Sequence, residues 1–261
     1  AFRKDGTQAA LSYLEYETAP SSVDLDANIL RQSVFTVLER CLGQLADRTE
    51  VAAITVSSFG ESFVPVDADG TPLTDIILYF ANSESREFDE LVARVGKEAF
   101  MDITRVLPDA SYSLAKMLYT RRVAKKPVWK YLFVASYLSY CLSGKAACDE
   151  SLACRSLLYD VKANCWSKPL LDASGIAQVP EVIPAGGVIG TILPELAAQF
   201  GLRTDVKIVS GCHDQIVNAL GAGVCACGEA VDTSGTCECI TPLFAAMPDE
   251  AFIRSNFACV P

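Results

Sequence analysis

The feature that most constrains this chain is a short β-branched run followed by a glycine and an acidic residue. Residues 206–209 (VKIV) lead through Gly211 to Asp214, where a helical pattern over 214–220 begins. This arrangement places a carboxylate at the C-terminal edge of a sheet, where open α/β folds bind ligands. Taken alone, an aspartate at a helix start is more often a cap for free backbone N–H groups.

A second β-branched run lies nearer the start of the chain. Residues 51–56 (VAAITV) end in the segment 57–61 (SSFGE), and another apolar run follows at 63–66. The preceding residues 24–46 carry apolar side chains at helical spacing, which predicts an amphipathic helix that packs on a sheet. Helix and strands in this order favour an α/β layer.

The rest of the chain divides into a helical middle and a second α/β segment. Residues 83–172 contain helical patterns, including 113–124 and 131–142, and are interpreted as a helical insertion. The second α/β segment begins near residue 188, with a helix at 193–200, the strand and helix described above, and strands near 229–233 and 237–242.

The first residues indicate an internal piece of a longer chain. The turn signal at residues 4–6 (KDG) predicts that residues 8–17 form the second arm of a β-hairpin whose first arm is incomplete. The sequence begins without methionine, and no apolar signal core follows.

Composition excludes several classes of protein. A formal net charge of −10 repels phosphate backbones, so nucleic acid is not expected as a partner. No apolar run approaches the roughly 20 residues of a membrane span. The 11 cysteines lack the regular framework of a small secreted domain, which favours reduced thiols in the cytoplasm. The oligomeric state stays open, with a homodimer as one option.

The order and spacing of several segments resemble the FGGY family of carbohydrate kinases. The matching segments are the KDG turn at 4–6, SSFGE at 57–61, DADGTPL at 67–73, SYSLAKM at 111–117, LSG at 142–144 with Asp149 and Ala153 beyond, residues 211–223, and GT at 235–236. The resemblance implies that residues 1–261 form an RNase H-like α/β lobe of the actin, sugar-kinase and Hsp70 type. The helical insertion spans 83–172, and the nucleotide lobe lies outside this chain.

The resemblance also implies roles for individual residues. Asp214 would be the general base that takes the proton of a sugar or polyol hydroxyl as it attacks the γ-phosphate of ATP, with Mg²⁺ as the second cofactor. The expected substrate contacts are Glu61, His213, Gln215 and Phe59. The expected phosphate contacts are Gly235 and Thr236, although Cys237 stands where the family usually has serine or glycine. His213 would touch the substrate or orient Asp214.

Three questions stay open at this stage. Many members of the family carry a Trp-x-Asp-x-Arg pattern where this chain reads YFANS at 79–83, so the substrate is unsettled, with a pentulose favoured. A sugar-binding or regulatory module without catalysis is the main alternative, since the chain lacks the family's first phosphate loop and its nucleotide lobe. The paired cysteines Cys225, Cys227, Cys237 and Cys239 raise a zinc hypothesis, but their one-residue spacing is not typical of zinc knuckles. Buried structural thiols explain the pattern as well, and no metal is expected at these cysteines.

Overall fold

The computed structural model describes residues 1–16, 23–81, 85–235, 238–255 and 257–261. The helices in these residues are α1 Ala27–Leu42, α2 Arg86–Val95, α3 Lys97–Thr104, α4 Ser113–Val123, α5 Val134–Ser143, α6 Glu150–Cys154, α7 Lys168–Ser174, α8 Pro194–Phe200, α9 Asp214–Gly221 and α10 Glu250–Arg254. The strands are β1 Asp24–Leu25, β2 Ala53–Thr55, β3 Phe63–Val66, β4 Ile76–Ile77, β5 Lys130–Phe133, β6 Ala147–Cys148, β7 Tyr159–Asp160, β8 Cys165–Trp166, β9 Glu181–Val182, β10 Val188–Thr191, β11 Lys207–Val209, β12 Ala230–Ser234 and β13 Glu238–Pro242. None of the described helices is long and apolar enough to cross a membrane.

Helix α1 forms where the apolar spacing predicts it, within narrower bounds. The carboxylate of Asp26 caps its start by accepting hydrogen bonds from the N–H groups of the second and third residues after it. The helix stops at Leu42, and Gly43 follows. On its buried face, Leu30 packs with the side chains of β3, and Leu42 packs with Ile208 of β11. The helix therefore covers the sheet as its pattern predicts.

Strands from distant parts of the chain meet in one small sheet. Its order is β10, β11, β2, with β11 parallel to β2 and antiparallel to β10. Ile208 of β11 lies opposite Ile54 of β2 and is fully buried beside Phe200 and Val206. Because β2 and β11 run in the same direction, the segments that follow them leave the sheet at the same edge.

The pattern over 131–142 predicts one helix, but the structure divides these residues between β5 and α5. Strand β5 pairs antiparallel with β3, and Phe63 lies opposite Phe133. All side chains of β5 after its first residue are buried. A strand that is buried on both faces does not alternate between polar and apolar residues, so its apolar run cannot be distinguished from the start of a helix. The helix begins only at Val134.

Between Arg86 and Ser174 the chain is built from helices α2 to α7 and the short strands β5 to β8. Helix α2 packs against α3, α4 and α7. The core of this region includes Phe100, Leu114 and Leu157, which are inaccessible to solvent. This core also includes Val106 and Tyr112 from the loop before α4, and Tyr131 of β5.

The prediction that residues 8–17 form a hairpin arm is wrong beyond the turn. Phe2 and Gln8 form an antiparallel bridge around the turn, but no strand follows in the described part of the arm. The N–H of Leu11 donates to the side-chain oxygen of Gln44 at 3.3 Å, and its carbonyl accepts from the amide nitrogen at 2.8 Å. A side chain thus satisfies the backbone groups that a neighbouring strand would have paired. The last residue of the predicted arm lies outside the described residues.

The second α/β segment is confirmed to within a residue or two at its helices and strands. Helix α8 ends where Gly201 takes the left-handed conformation, with φ of +65°. Strands β12 and β13 form an antiparallel hairpin in which Ser234 lies opposite Glu238. Cys237, which the sequence places in the last strand, lies outside the described residues. The hairpin packs against α9.

Candidate active site

The ends of β2 and β11 bring two polar segments together. Beyond the strands, Ser58 and His213 form a further parallel bridge. The N–H of Asp214 donates to the carbonyl of Ser58 at 2.9 Å, and the hydroxyl of Ser57 donates to the carbonyl of Cys212 at 2.8 Å. These bonds hold the loop after β2 against the first residue of α9. The structure therefore brings the two sequence motifs to one edge of the sheet.

Two other helix starts support this backbone. The hydroxyl oxygen of Ser58 accepts a hydrogen bond from the N–H of Ala135, in the first turn of α5, at 3.1 Å. The N–H of His213 donates to the hydroxyl oxygen of Ser151, in α6, at 2.9 Å. Asp149 caps α6 and also accepts the hydroxyl hydrogen of Ser151. The backbone around the site is thus fixed by bonds between its two segments and by bonds to α5 and α6.

Asp214 is the first residue of α9, and it does not cap the helix. The cap is His213, whose Nδ1 accepts a hydrogen bond from the N–H of Gln215 at 3.3 Å. An acceptor at Nδ1 leaves the proton of a neutral imidazole on Nε2. The Asp214 side chain is 47% exposed, with its Oδ1 at 3.4 Å from Nδ1. The carboxylate of Asp214 therefore does not cap the helix, which is the usual role of an aspartate at a helix start.

Glu61 is held by an ion pair that the sequence does not predict. The Nε of Arg155 donates to Oε1 of Glu61, and Nη2 contacts the same oxygen. The side chain of Glu61 is 11% exposed and that of Arg155 is 23% exposed, so Glu61 is not a solvated surface carboxylate. The backbone of Glu61 has φ of +60°, a conformation that costs about 1–3 kcal/mol for a residue with a Cβ. The surrounding contacts have to maintain that conformation.

Gly60 allows these groups to approach one another. A Cβ at this position would lie 2.8 Å from both Cγ of Arg155 and Cδ2 of His213. Such distances are too short for a real carbon contact, so only glycine fits without movement of both side chains. The close approach places Glu61, Arg155 and the imidazole in one group.

The imidazole of His213 is neutral at pH 7. Burial lowers the pKa of His213 below its ordinary value of 6.5, and the positive charge of Arg155 lowers this pKa further. Asp214 and Glu61 act in the opposite direction, but they do not outweigh those two effects. The result agrees with the acceptor role of Nδ1. The site therefore offers an uncharged N–H donor at Nε2, beside Gly60.

A second buried cation lies near Glu61. Lys116 is inaccessible to solvent, and its ammonium group donates to the carbonyl of Ser111. Burial lowers the pKa of Lys116 to about 8, against the opposing effects of Glu61 and Asp109. Glu61 is thus influenced by two basic side chains from the protein interior, and one of them contacts it directly.

Phe59 and Gln215 flank this group. The Phe59 ring lies 5.6 Å from the ring of Tyr79, which is 43% exposed. The side-chain oxygen of Gln215 is buried and has no hydrogen-bond partner among the described residues. A buried acceptor without a partner is uncommon in folded proteins, and a ligand hydroxyl would satisfy it. Both substrate roles stay predictions.

The predicted phosphate turn lies at the end of the β12–β13 hairpin. Gly235 is exposed there, and Thr236 lies outside the described residues. Asn218, one helical turn after Asp214, donates through Nδ2 to the hydroxyl oxygen of Thr233. This bond ties the hairpin to the helix that begins with the proposed base. The phosphate roles of Gly235 and Thr236 stay predictions.

Arg155 is the residue of this group that sequence reasoning missed. It stands alone as a charge within the apolar run 152–159 (LACRSLLY). A charge in such a run must find a partner when the run is buried, so the sequence was sufficient to predict that Arg155 forms an ion pair. The sequence could not identify Glu61 as the partner, because the two residues are 94 positions apart along the chain.

The cysteines do not assemble a metal site in the described part of the chain. No group of three or more His, Cys, Asp and Glu side chains there is placed to hold a metal ion. Cys225 and Cys227 are exposed, and Cys237 is outside the described residues.

Comparison with known proteins gives relatives over most of the chain. YoaC of Bacillus subtilis is 29% identical over 241 residues, which is 88% of this chain and 48% of the relative. The xylulose kinase of Lactococcus lactis is 28% identical over 181 residues, covering 67% of this chain and 36% of that protein. The L-fuculokinase of Salmonella typhi is 28% identical over 206 residues, covering 76% and 43% respectively. The chain thus spans less than half the length of these relatives.

Solved structures share the fold. The ligand-bound xylulose kinase of Lactobacillus acidophilus superposes with a TM-score of 0.77 at 21% identity, over 87% of this chain and 47% of that one. The gluconate kinase of the same organism gives the same values. These likenesses confirm the predicted sugar-kinase type of α/β fold. The sequence model of the FGGY family of carbohydrate kinases, N-terminal domain, matches residues 3–221. This match covers most of the chain, which therefore belongs to the FGGY family of carbohydrate kinases.

Proposed function

We propose that the natural protein containing this chain is an ATP-dependent carbohydrate kinase, and that residues 1–261 supply its sugar-binding part. The observation that carries the proposal is the convergence of Glu61, His213 and Asp214 at one edge of the sheet. The site brings together the carboxylate of Glu61 as an acceptor, the neutral imidazole of His213 as an N–H donor, and the half-exposed carboxylate of Asp214. Sugars and polyols, with their adjacent hydroxyls, suit alternating donors and acceptors of this kind.

In the proposed reaction Asp214 acts as the base. Its carboxylate accepts the proton of a sugar hydroxyl while the hydroxyl oxygen forms a bond to the γ-phosphorus of ATP and the bond to the ADP oxygen breaks. Glu61 and the imidazole of His213 hold neighbouring hydroxyls and so fix the attacking one. The chain contributes mainly by positioning the reacting groups, and positioning is the larger part of catalysis in phosphoryl transfer.

The described residues fit a phosphate and magnesium partner on the open side of Asp214. In the described part of the chain, no lysine or arginine forms an ion pair with this carboxylate, so it is not neutralised from within. Gly235 stands in an exposed turn that is joined to the same helix through Asn218. Bound Mg²⁺ would supply neutralisation of phosphate charge, and Asp214 and the 235–236 turn are the groups we propose to face it.

The substrate class that we favour is a ketose, with pentuloses first. The relatives named xylulose kinase and L-fuculokinase support this choice. A cytoplasmic location fits the described cysteines, which are all free thiols. Because the chain spans less than half of those relatives, we propose that residues 1–261 bind sugar but need the rest of a kinase for turnover.

A second candidate is a sugar-binding or regulatory module of the same fold that does not catalyse. The observation that favours it is that Glu61, His213 and Asp214, the proposed sugar-facing groups, all lie within residues 1–261. It differs from the kinase in one measurable property, the release of ADP.

A coupled ADP-release assay on the natural protein tests the proposal. The protein is screened with ATP and Mg²⁺ against a panel of ketoses, aldoses and polyols, with sugar-free reactions as the blank. We expect release that depends on sugar and is greatest for a ketose. Thermal stabilisation by a sugar without ADP release would favour the binding module, and the absence of both effects across the panel would contradict both candidates.

A further inference from the structure

Arg155 contacts Glu61 directly and lies beside the proposed sugar site. It is the residue that follows helix α6, and its guanidinium lies 4.9 Å above the centre of the Tyr112 ring. Its Nε and Nη2 both contact Glu61, and its Cγ lies beside Gly60. Stacking on an aromatic face and pairing with a carboxylate together fix the plane of a guanidinium group. Arg155 is therefore an ordered group with a defined direction.

The ion pair uses the carboxylate of Glu61 unequally. A guanidinium fork commonly binds both oxygens of a carboxylate. Here both nitrogens approach Oε1, and Oε2 accepts no hydrogen bond from the described residues. One oxygen is thus occupied by the protein, while the other remains available to a hydroxyl group.

The same contact offsets the unfavourable backbone of Glu61. Its left-handed conformation would relax, and its side chain could turn toward solvent, if the partner on the protein side were removed. Lys116 and Glu61, both among the described residues, form no ion pair, and the ammonium group of Lys116 donates to the carbonyl of Ser111. In the described part of the chain, Arg155 is the cation that contacts Glu61 directly.

We propose that Arg155 is the positioning residue of the sugar site: it fixes Glu61 through one carboxylate oxygen and leaves the other to accept the hydroxyls of the substrate. The proposal rests on the proposed function, because it assumes that Glu61 faces the sugar. Arg155 itself contacts Glu61, Tyr112 and the backbone around Gly60, so it acts on the sugar through Glu61.

Two substitutions separate the charge of Arg155 from its geometry. A lysine in its place keeps the positive charge but loses the planar fork that holds Oε1 of Glu61. A methionine removes both the charge and the hydrogen bonds.

The test compares Arg155→Met and Arg155→Lys with Arg48→Met in the natural protein. Arg48 is a matched control, because it is also partly buried, at 30% exposed, and pairs with a glutamate, Glu39, away from the site. We expect Arg155→Met to raise the KM for sugar about 10- to 100-fold, the loss typical of a charge-assisted hydrogen bond, with kcat changed less than about threefold. The control should leave both constants within about twofold.

The coupling between Arg155 and Glu61 provides the second readout. Arg155→Lys should still raise KM, because it keeps the charge but loses the planar fork. Glu61→Gln should raise KM as well, and the double variant with Arg155→Met should be little worse than Glu61→Gln alone. Sugar affinity measured by calorimetry should follow the same order.

Several results would overturn the proposal. An unchanged KM in folded Arg155→Met or Arg155→Lys would do so, as would additive losses in the double variant. Should Arg155→Met fail to fold, Arg155→Lys decides, since an unchanged KM there contradicts the positioning role. If the unchanged protein shows no sugar-dependent ADP release, the proposed function fails separately. Sugar affinity measured by calorimetry then still decides the positioning role, and an unchanged affinity in Arg155→Met contradicts it.

Discussion

Asp214→Asn is expected to lower kcat about 10²- to 10⁴-fold while sugar affinity changes less than about threefold. Asparagine has nearly the same shape, and it can still donate or accept a hydrogen bond, but it cannot take the proton of the attacking hydroxyl. The side chain is 47% exposed, and His213 rather than Asp214 caps α9, so the fold should be little affected. The measurement is kcat by coupled ADP release and sugar affinity by calorimetry, on the natural protein.

Asp205→Asn is the matched control for this substitution. Asp205 precedes the other end of β11 and pairs with Arg203 on the surface. It should leave kcat and sugar affinity unchanged within about twofold, because exposed ion pairs contribute little. A loss of sugar affinity in Asp214→Asn as large as the loss of kcat would contradict the assignment of Asp214 as the base.

Gly211→Ala is expected to lower the free energy of unfolding by about 2–4 kcal/mol and to abolish sugar binding. A Cβ at Gly211 would lie 1.9 Å from the carbonyl oxygen of Val56 and 2.8 Å from its carbonyl carbon. Both are backbone atoms of the strand end next to β11, so the clash cannot be relieved by a side-chain rotation. The segments after β2 and β11 would have to separate, and with them the bridge between Ser58 and His213.

Gly221→Ala serves as the control for the added methyl group. Gly221 is the last residue of α9, and no atom lies within 4 Å of a Cβ built there. Alanine has the higher helix propensity, so this variant should be unchanged or more stable by up to about 1 kcal/mol. Chemical denaturation measures both variants. A Gly211→Ala protein as stable as Gly221→Ala, with normal sugar binding, would contradict the packing described between the two strand ends.

Local signals in the sequence were sufficient for the helices and strands with clear periodicity. Helix α1 shows the 3.6-residue repeat and an aspartate cap, and β11 is a β-branched run that ends at Gly211. Strand β5 was misread because it is buried on both faces and lacks alternation. The arm at residues 8–17 was misread because Gln44, a distant residue, takes its backbone hydrogen bonds.

The sequence was sufficient to predict which residue types form the candidate site, but not which of their side chains contact one another. Asp214 and Glu61 follow β-branched runs, so their place at a sheet edge could be inferred from the sequence. The pairing of Glu61 with Arg155 depends on how α6 packs against the loop after β2, which no local pattern encodes. Likewise, an aspartate at a helix start is most often the cap, whereas in α9 the preceding imidazole takes that position.

The measurement that tests the central claim most directly is the identity and amount of the phosphorylated product. The natural protein is incubated with ATP, Mg²⁺ and the sugar that is most active in the screen, and phosphorus-31 NMR follows all phosphorus species. The account predicts one sugar phosphate for each ATP consumed, little free phosphate, and formation of sugar phosphate at least about 100-fold slower with Asp214→Asn. Consumption of ATP that yields only free phosphate, or saturating sugar binding without phosphoryl transfer, would contradict it.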